Sequence, residues 1–122
     1  MLTVILVPFV GPSTNSIYAG VHWDKRRNQK EQAMIALSAL GRINPVSKPV
    51  NIEVTPYLGK GKRGYDVSNY SYTYKLIEDA MVKKGILQND SPQFVRSVKF
   101  NAPVRHSEKH SATLITIEEI NQ

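Results

Sequence analysis

The chain contains no cysteine, which excludes disulfides, thiolate catalysis and cysteine-ligated zinc. Histidine is sparse: His22, His106 and His110. The last two fall in a segment read as a loop between strands. Their spacing would turn them to one side only on a helix, so no zinc site is expected there. Long apolar runs are also missing. Met1–Val10 is apolar but short, has no basic leader and runs into Gly11-Pro12, so it reads as a strand rather than a signal peptide or a membrane span. A soluble, cytoplasmic protein with no membrane attachment is expected. No internal repeat or low-complexity linker divides the 122 residues, which suffice for one modest core and a single domain over 1–122. Acids are outnumbered, 10 against 16 Lys and Arg, for a formal net charge of +6. Such a balance favours nucleic acid or an anionic membrane over neutral metabolites, with ordinary solubility charge as the alternative.

Leu2–Phe9 is rich in Val, Ile, Leu and Phe and stops at Gly11-Pro12, which predicts a strand. Pro12–Tyr18 reads as a polar loop. Asp24–Leu40 carries Ala33, Met34, Ile35, Leu37 and Leu40 at helical spacing. Lys25, Arg26, Arg27 and Lys30 crowd the early part of that helix, against its dipole, so they are either a solvated face or a phosphate contact. Val50, Ile52 and Val54 alternate with Asn51, Glu53 and Thr55, the period of a half-buried strand. Leu58–Tyr65, with three glycines and three basic residues, predicts a mobile loop. Ser68–Lys84 is the strongest helix, with the stripe Tyr70, Tyr74, Ile77 and Met81, Ser68 as N-cap and Gly85 as stop. Phe94–Phe100 and Ala112–Ile117 read as closing strands. The order β-α-β-α-β-β implies an α+β fold: a mixed sheet with two main helices packed on it.

Acids bracket the second helix: Asp66 just before it, Asp79 within it, Asp90 just beyond it. Phosphodiester cleavage needs an activated water and a counter-charge for the phosphoryl oxygens, and a divalent metal on carboxylates supplies both. Mg2+ accepts a sparse oxygen shell completed by water. Asp66 and Asp90 share a metal only if the return path of the chain, or a neighbouring subunit, brings them together. Asp79 lies one turn after Lys75 and is either a further ligand or half of a surface ion pair. Asn69 bonds the Asp66 carboxylate or caps the helix, and Lys75 offers a point charge for a phosphate. Lys60, Lys62 and Arg63 place positive charge where a DNA backbone would lie. Tyr70 and Tyr74 serve the monomer core or a dimer contact, whereas Tyr72 points elsewhere and is the better candidate for touching DNA.

Taken in order, these stretches resemble the RusA family of Holliday junction resolvases over most of the chain. Pro12-Ser13-Thr14-Asn15 followed by Tyr18 is similar to the family's Pro-Ser-x-Asn segment and its aromatic. Lys62-Arg63-Gly64-Tyr65-Asp66-Val67-Ser68-Asn69 resembles a basic run leading into Asp-x-Asp-Asn. Lys75–Met81 and Gly85–Asp90 resemble the lysine-bearing helix and the closing pair of acids. The resemblance implies a homodimer that binds four-way junction DNA and cuts two strands symmetrically with Mg2+ or Mn2+. It puts Asp66 and Asp90 at metal-binding positions and Lys75 at the catalytic lysine; Asp79, from the residue pattern alone, is the third candidate metal-binding acid. Lys60, Lys62, Arg63, Asn69, Lys25, Arg26 and Arg27 are the expected DNA contacts. Ser68 stands where the family has its second Asp, and Asn89 replaces the first acid of the closing pair. Those departures define a second reading, a non-catalytic junction- or nucleic-acid-binding protein of the same fold with a decayed metal site. A third, an RNA-binding or toxin-like ribonuclease, fits the charge and size but explains the ordered acids less economically.

Overall fold

The computed structural model describes residues 1–19 and 23–121, with backbone alone at 23 and 24. His22 lies outside the described residues. In chain order come β1 (Leu2–Val7), α1 (Thr14–Tyr18), α2 (Trp23–Ser38), β2 (Val50–Leu58), a 3-10 turn (Val67–Tyr70), α3 (Ser71–Lys83), β3 (Val95–Phe100), β4 (Val104–Arg105) and β5 (Ala112–Glu119). The strands form one sheet in the order β1-β5-β2-β3, with β4 also alongside β2. β5 is antiparallel to both β1 and β2, whereas β3 and β4 run parallel to β2. An α+β domain with a mixed sheet and two long helices is therefore what forms; α1 and β4 are additions that the sequence pattern does not announce. No helix among the described residues is long and apolar enough to cross a membrane.

Period-two alternation decides which face of the sheet is covered. Ile5 and Val7 of β1, Val50, Ile52 and Val54 of β2, and Ile115 and Ile117 of β5 are buried against Ala33 and Leu37 of α2 and Tyr74, Ile77 and Met81 of α3. Each such aliphatic side chain contributes about 2 kcal/mol on full burial. The opposite face of β1 leaves Leu2, Val4 and Leu6 exposed. Among the described side chains of α2 only Ala33 and Leu37 are fully inward; Ile35, and Leu40 just beyond the helix end, are exposed. Tyr70, Tyr74, Ile77 and Met81 are all buried within one chain. The stripe is thus monomer core, and the expected sharing of it with a dimer contact is corrected.

Pro56 explains why β3 and β4 are separate strands. The Val54 carbonyl accepts from Asn101 N–H (2.9 Å) and the Leu58 carbonyl from His106 N–H (2.8 Å), both toward the β3/β4 side. Pro56 has the same parity, so its missing N–H falls on that side, between the register of β3 (ending at Val54↔Phe100) and that of β4 (starting at Tyr57↔Val104).

Three local expectations change. Ser68 is not the N-cap of the long helix; it lies inside the 3-10 turn. The first turn of α3 is instead satisfied from far away, by Thr14, whose Oγ1 accepts from Tyr72 N–H at 3.0 Å and pairs with Ser71 Oγ at 2.8 Å. The Pro12–Tyr18 segment, expected as a loop, is helical at Thr14–Tyr18 because Ser13 caps it, its Oγ accepting from Ser16 N–H. The Leu58–Tyr65 loop is tethered rather than loose. Lys60 N–H donates to the Glu108 carbonyl (3.0 Å), Gly59 N–H to Ser111 Oγ (2.9 Å), and Arg105 to the Lys62 carbonyl (2.6 Å). Gly59 permits this approach, since a Cβ there would run into the Lys109 carbonyl oxygen.

Candidate functional site

The site grows from the way α3 ends. Gly85 adopts φ 77°, and its N–H donates to the Val82 carbonyl while Ile86 N–H donates to that of Met81. This pair of bonds reverses the chain, and glycine removes the penalty of the left-handed conformation. Ile86 and Leu87 then bury themselves, and Val46 N–H donates to the Ile86 carbonyl, which pins the return path. Asn89 closes a local turn, its Oδ1 accepting from Ser91 N–H at 2.9 Å. Asp90 is thereby carried back beside the middle of α3.

There it meets Lys75. The Lys75 ammonium lies 3.2 Å from Asp90 Oδ2, 3.3 Å from Asp79 Oδ1 and 3.4 Å from Glu78 Oε1. One ligand oxygen from each of Glu78, Asp79 and Asp90 lies within 4.8 Å of the others. The cluster grades from inside to outside: the Glu78 side chain is 10% exposed, Asp79 35% and Asp90 47%. Glu78 is held by Tyr74, whose hydroxyl donates to Oε2 at 2.7 Å. Burial, then the hydrogen bond to Glu78, then the charges of Glu78 and Asp90 hold the Tyr74 phenol far above its ordinary range, so it remains a donor. For Lys75 the largest single influence is partial desolvation, which lowers its pKa. The hydrogen bond to Asp90 and the charges of Asp79 and Glu78 outweigh it, and the net direction is upward.

Three carboxylates converging on one cation are the oxygen donor set that Mg2+ or Mn2+ takes. Of the acids expected from sequence, Asp79 and Asp90 come together here. The Lys75–Asp79 ion pair and membership of the cluster, posed as alternatives, are both present. Asp66 is not in the cluster. It is exposed before the 3-10 turn, with no side-chain capping bond, and its carbonyl accepts from Asn69 N–H. Asn69 neither bonds the Asp66 side chain nor caps α3; its Oδ1 accepts from Asn15 N–H at 3.0 Å, which fastens α1 to the start of α3. Glu78 is the residue that sequence reasoning missed. Its signal was present: it lies four residues after the core residue Tyr74 and three after Lys75, which marks an acid at the inward edge of the helix.

The basic residues expected to contact DNA fall in two places. Lys60, Lys62 and Arg63 are exposed at the end of β2, where Arg105 joins them. On α2, Arg26 donates to the Ile17 carbonyl at 3.0 Å, while Arg27 and Lys30 share a groove with Asp79 of α3. Lys25 is exposed. Tyr72 donates to Gln29 Oε1 at 2.8 Å and so joins α3 to α2.

No family model matches the chain, and no curated protein matches it.

Proposed function

We propose that the protein is a metal-dependent endodeoxyribonuclease of the RusA kind, a homodimer that resolves four-way DNA junctions by paired symmetric nicks. The observation that carries this reading is the convergence of Glu78, Asp79 and Asp90 on a single cationic position. Held by these carboxylates, Mg2+ or Mn2+ supplies an activated water and neutralises charge developing on the phosphate. Lys75 lies within reach of the same oxygens and contributes positive charge to the phosphoryl group. The two basic groups position the backbone by charge and carry no sequence information.

The direct test is a labelled four-way junction incubated with purified protein and Mg2+ or Mn2+. Paired symmetric nicks that vanish in Asp90→Asn support the reading. Tight binding without cleavage under either metal transfers it to a junction-binding protein with a decayed site. One feature favours that second reading: Lys75 already sits among the three acids and balances much of their charge.

A further inference from the structure

Away from the acidic cluster, the segment after β1, the end of β2 with the loop that follows it, the last residue of the 3-10 turn and His110-Ser111 line a recess of about 610 Å3. Its walls include Phe9, Val10, Tyr65 and Tyr70, and its rim carries Lys62 and Arg63. The aromatic wall is built in advance. The Tyr65 and Tyr70 rings lie 5.0 Å apart at 32°. Tyr65 N–H donates to the Tyr70 hydroxyl at 2.9 Å, and the Tyr65 hydroxyl donates to the Gly11 carbonyl at 3.2 Å. Lys62 and Arg63 also line a second recess with Lys60, Arg105 and His106, so the two spaces share a basic rim. No described residue lining either recess is acidic, in a chain with ten acids. Phe9 and Tyr70 are buried and back the hollow, so half-buried Tyr65 is the aromatic group that can meet a ligand. Beside a cationic track with no acid in its lining, it offers the chemistry a nucleotide needs: one ring face for the base, fixed charge for its phosphate. The tethers on Lys60, Lys62 and Gly59 hold that track in register with the hollow.

We propose that this recess receives one unpaired nucleobase of bound DNA, its 5′ phosphate on Lys62 and Arg63 and the adjoining phosphates along Lys60 and Arg105. The inference deepens the nucleic-acid part of the proposed function and is independent of the metal cluster, so it is tested by binding in EDTA, where cleavage plays no part. The full chain is titrated with thymidine 5′-monophosphate, 2-deoxyribose 5-phosphate and inorganic phosphate, and backbone amide signals are followed by NMR. The nucleotide is expected to move the Val10, Tyr65 and Ser111 amides and to bind about tenfold more tightly than the sugar phosphate, as aromatic stacking of one base provides. Equal affinity for the two, or shifts confined to Lys60–Arg63, overturns the proposal. A second arm separates a base within DNA from a free nucleotide. 2-Aminopurine is placed as a single unpaired base or within a paired duplex, and its fluorescence is read on binding. A change at the unpaired base alone supports the proposal; equal responses, or binding of the free nucleotide without any response in DNA, overturn it. Val10→Trp, which fills the recess from a half-buried loop, and Tyr65→Leu, which keeps apolar bulk without the phenol, should each remove the tenfold preference. Retention of that preference by both folded variants also overturns it.

Discussion

Replacing Lys75 by methionine should weaken the apo protein and strengthen its response to metal at the same time. Methionine keeps an unbranched stem and a good helix propensity, so the change removes the ammonium and little else. Three contacts of 3.2, 3.3 and 3.4 Å are lost. The Lys75 side chain is 55% exposed, so solvent screening reduces each to the value of a surface pair, about 0.2–1 kcal/mol, or about 1–2 kcal/mol in all. For a domain of this size that lowers Tm by about 4–8 °C. The three carboxylates then face one another within 4.8 Å. Even at the dielectric constant of water about 0.9 kcal/mol of repulsion remains per pair at that distance, and a divalent ion relieves it without first displacing an ammonium. Thermal unfolding with and without millimolar Mn2+ reads the effect. A metal concentration one hundredfold above Kd adds about 2.7 kcal/mol, so Lys75→Met should regain its lost stability and gain more than the parent does. Junction cleavage should fall in the same variant. The sign with pH follows from the raised Lys75 pKa: the ion pairs persist through neutral and mildly alkaline pH and are lost only as pH rises past the ordinary lysine range. The parent–variant gap in Tm should therefore be flat from pH 7 to about pH 9, below the ordinary lysine value. Equal metal-induced shifts in parent and variant would show that ammonium and metal do not compete for these oxygens.

Ala at Lys60, Lys62 and Arg63 together should weaken junction binding and lower the salt slope of log K by about two to three, one per lost phosphate contact; an unchanged slope would move the DNA path to Lys25–Lys30. Thr14→Val should cost about 1 kcal/mol, since it removes the acceptor for Tyr72 N–H at the start of α3. Its metal response in a thermal melt should match the parent's, and a lost response would tie α1 to the acidic cluster. Light scattering after size exclusion should give a dimer mass at micromolar concentration, and a monomer mass both free and junction-bound would rule out symmetric paired cutting.

Much of the fold was legible because its signals are local. The alternation at Val50–Thr55 and the stripe at Tyr70–Met81 each report one face of one element, and Gly85 marks a stop by its own conformational freedom. The site was only half legible because its assembly is not local. Asp90 reaches Lys75 through the reversal at Gly85 and the burial of Ile86 and Leu87, and neither fact is encoded near Asp90. The start of α3 misleads for the same reason: Ser68 has the chemistry of a cap, but Thr14 of α1, distant in sequence, takes the role. The mobility expected of Leu58–Tyr65 from its glycines is overridden by bonds to residues 105–111, which no pattern within the loop foretells.

The place of β5 between β1 and β2 bears on how the chain is made. Translation delivers β1 before the other described strands, yet among these its lateral partner in the sheet is β5, the latest. At ribosomal speeds of roughly 5–20 residues per second, that strand waits about 5–20 s for its neighbour. Throughout that interval Ile5 and Val7, buried in the finished domain, and the backbone edge that β5 later pairs are left bare, and such an edge invites pairing with another nascent chain. Yield of native protein should consequently depend more on chaperone capacity during synthesis than on the stability of the finished domain.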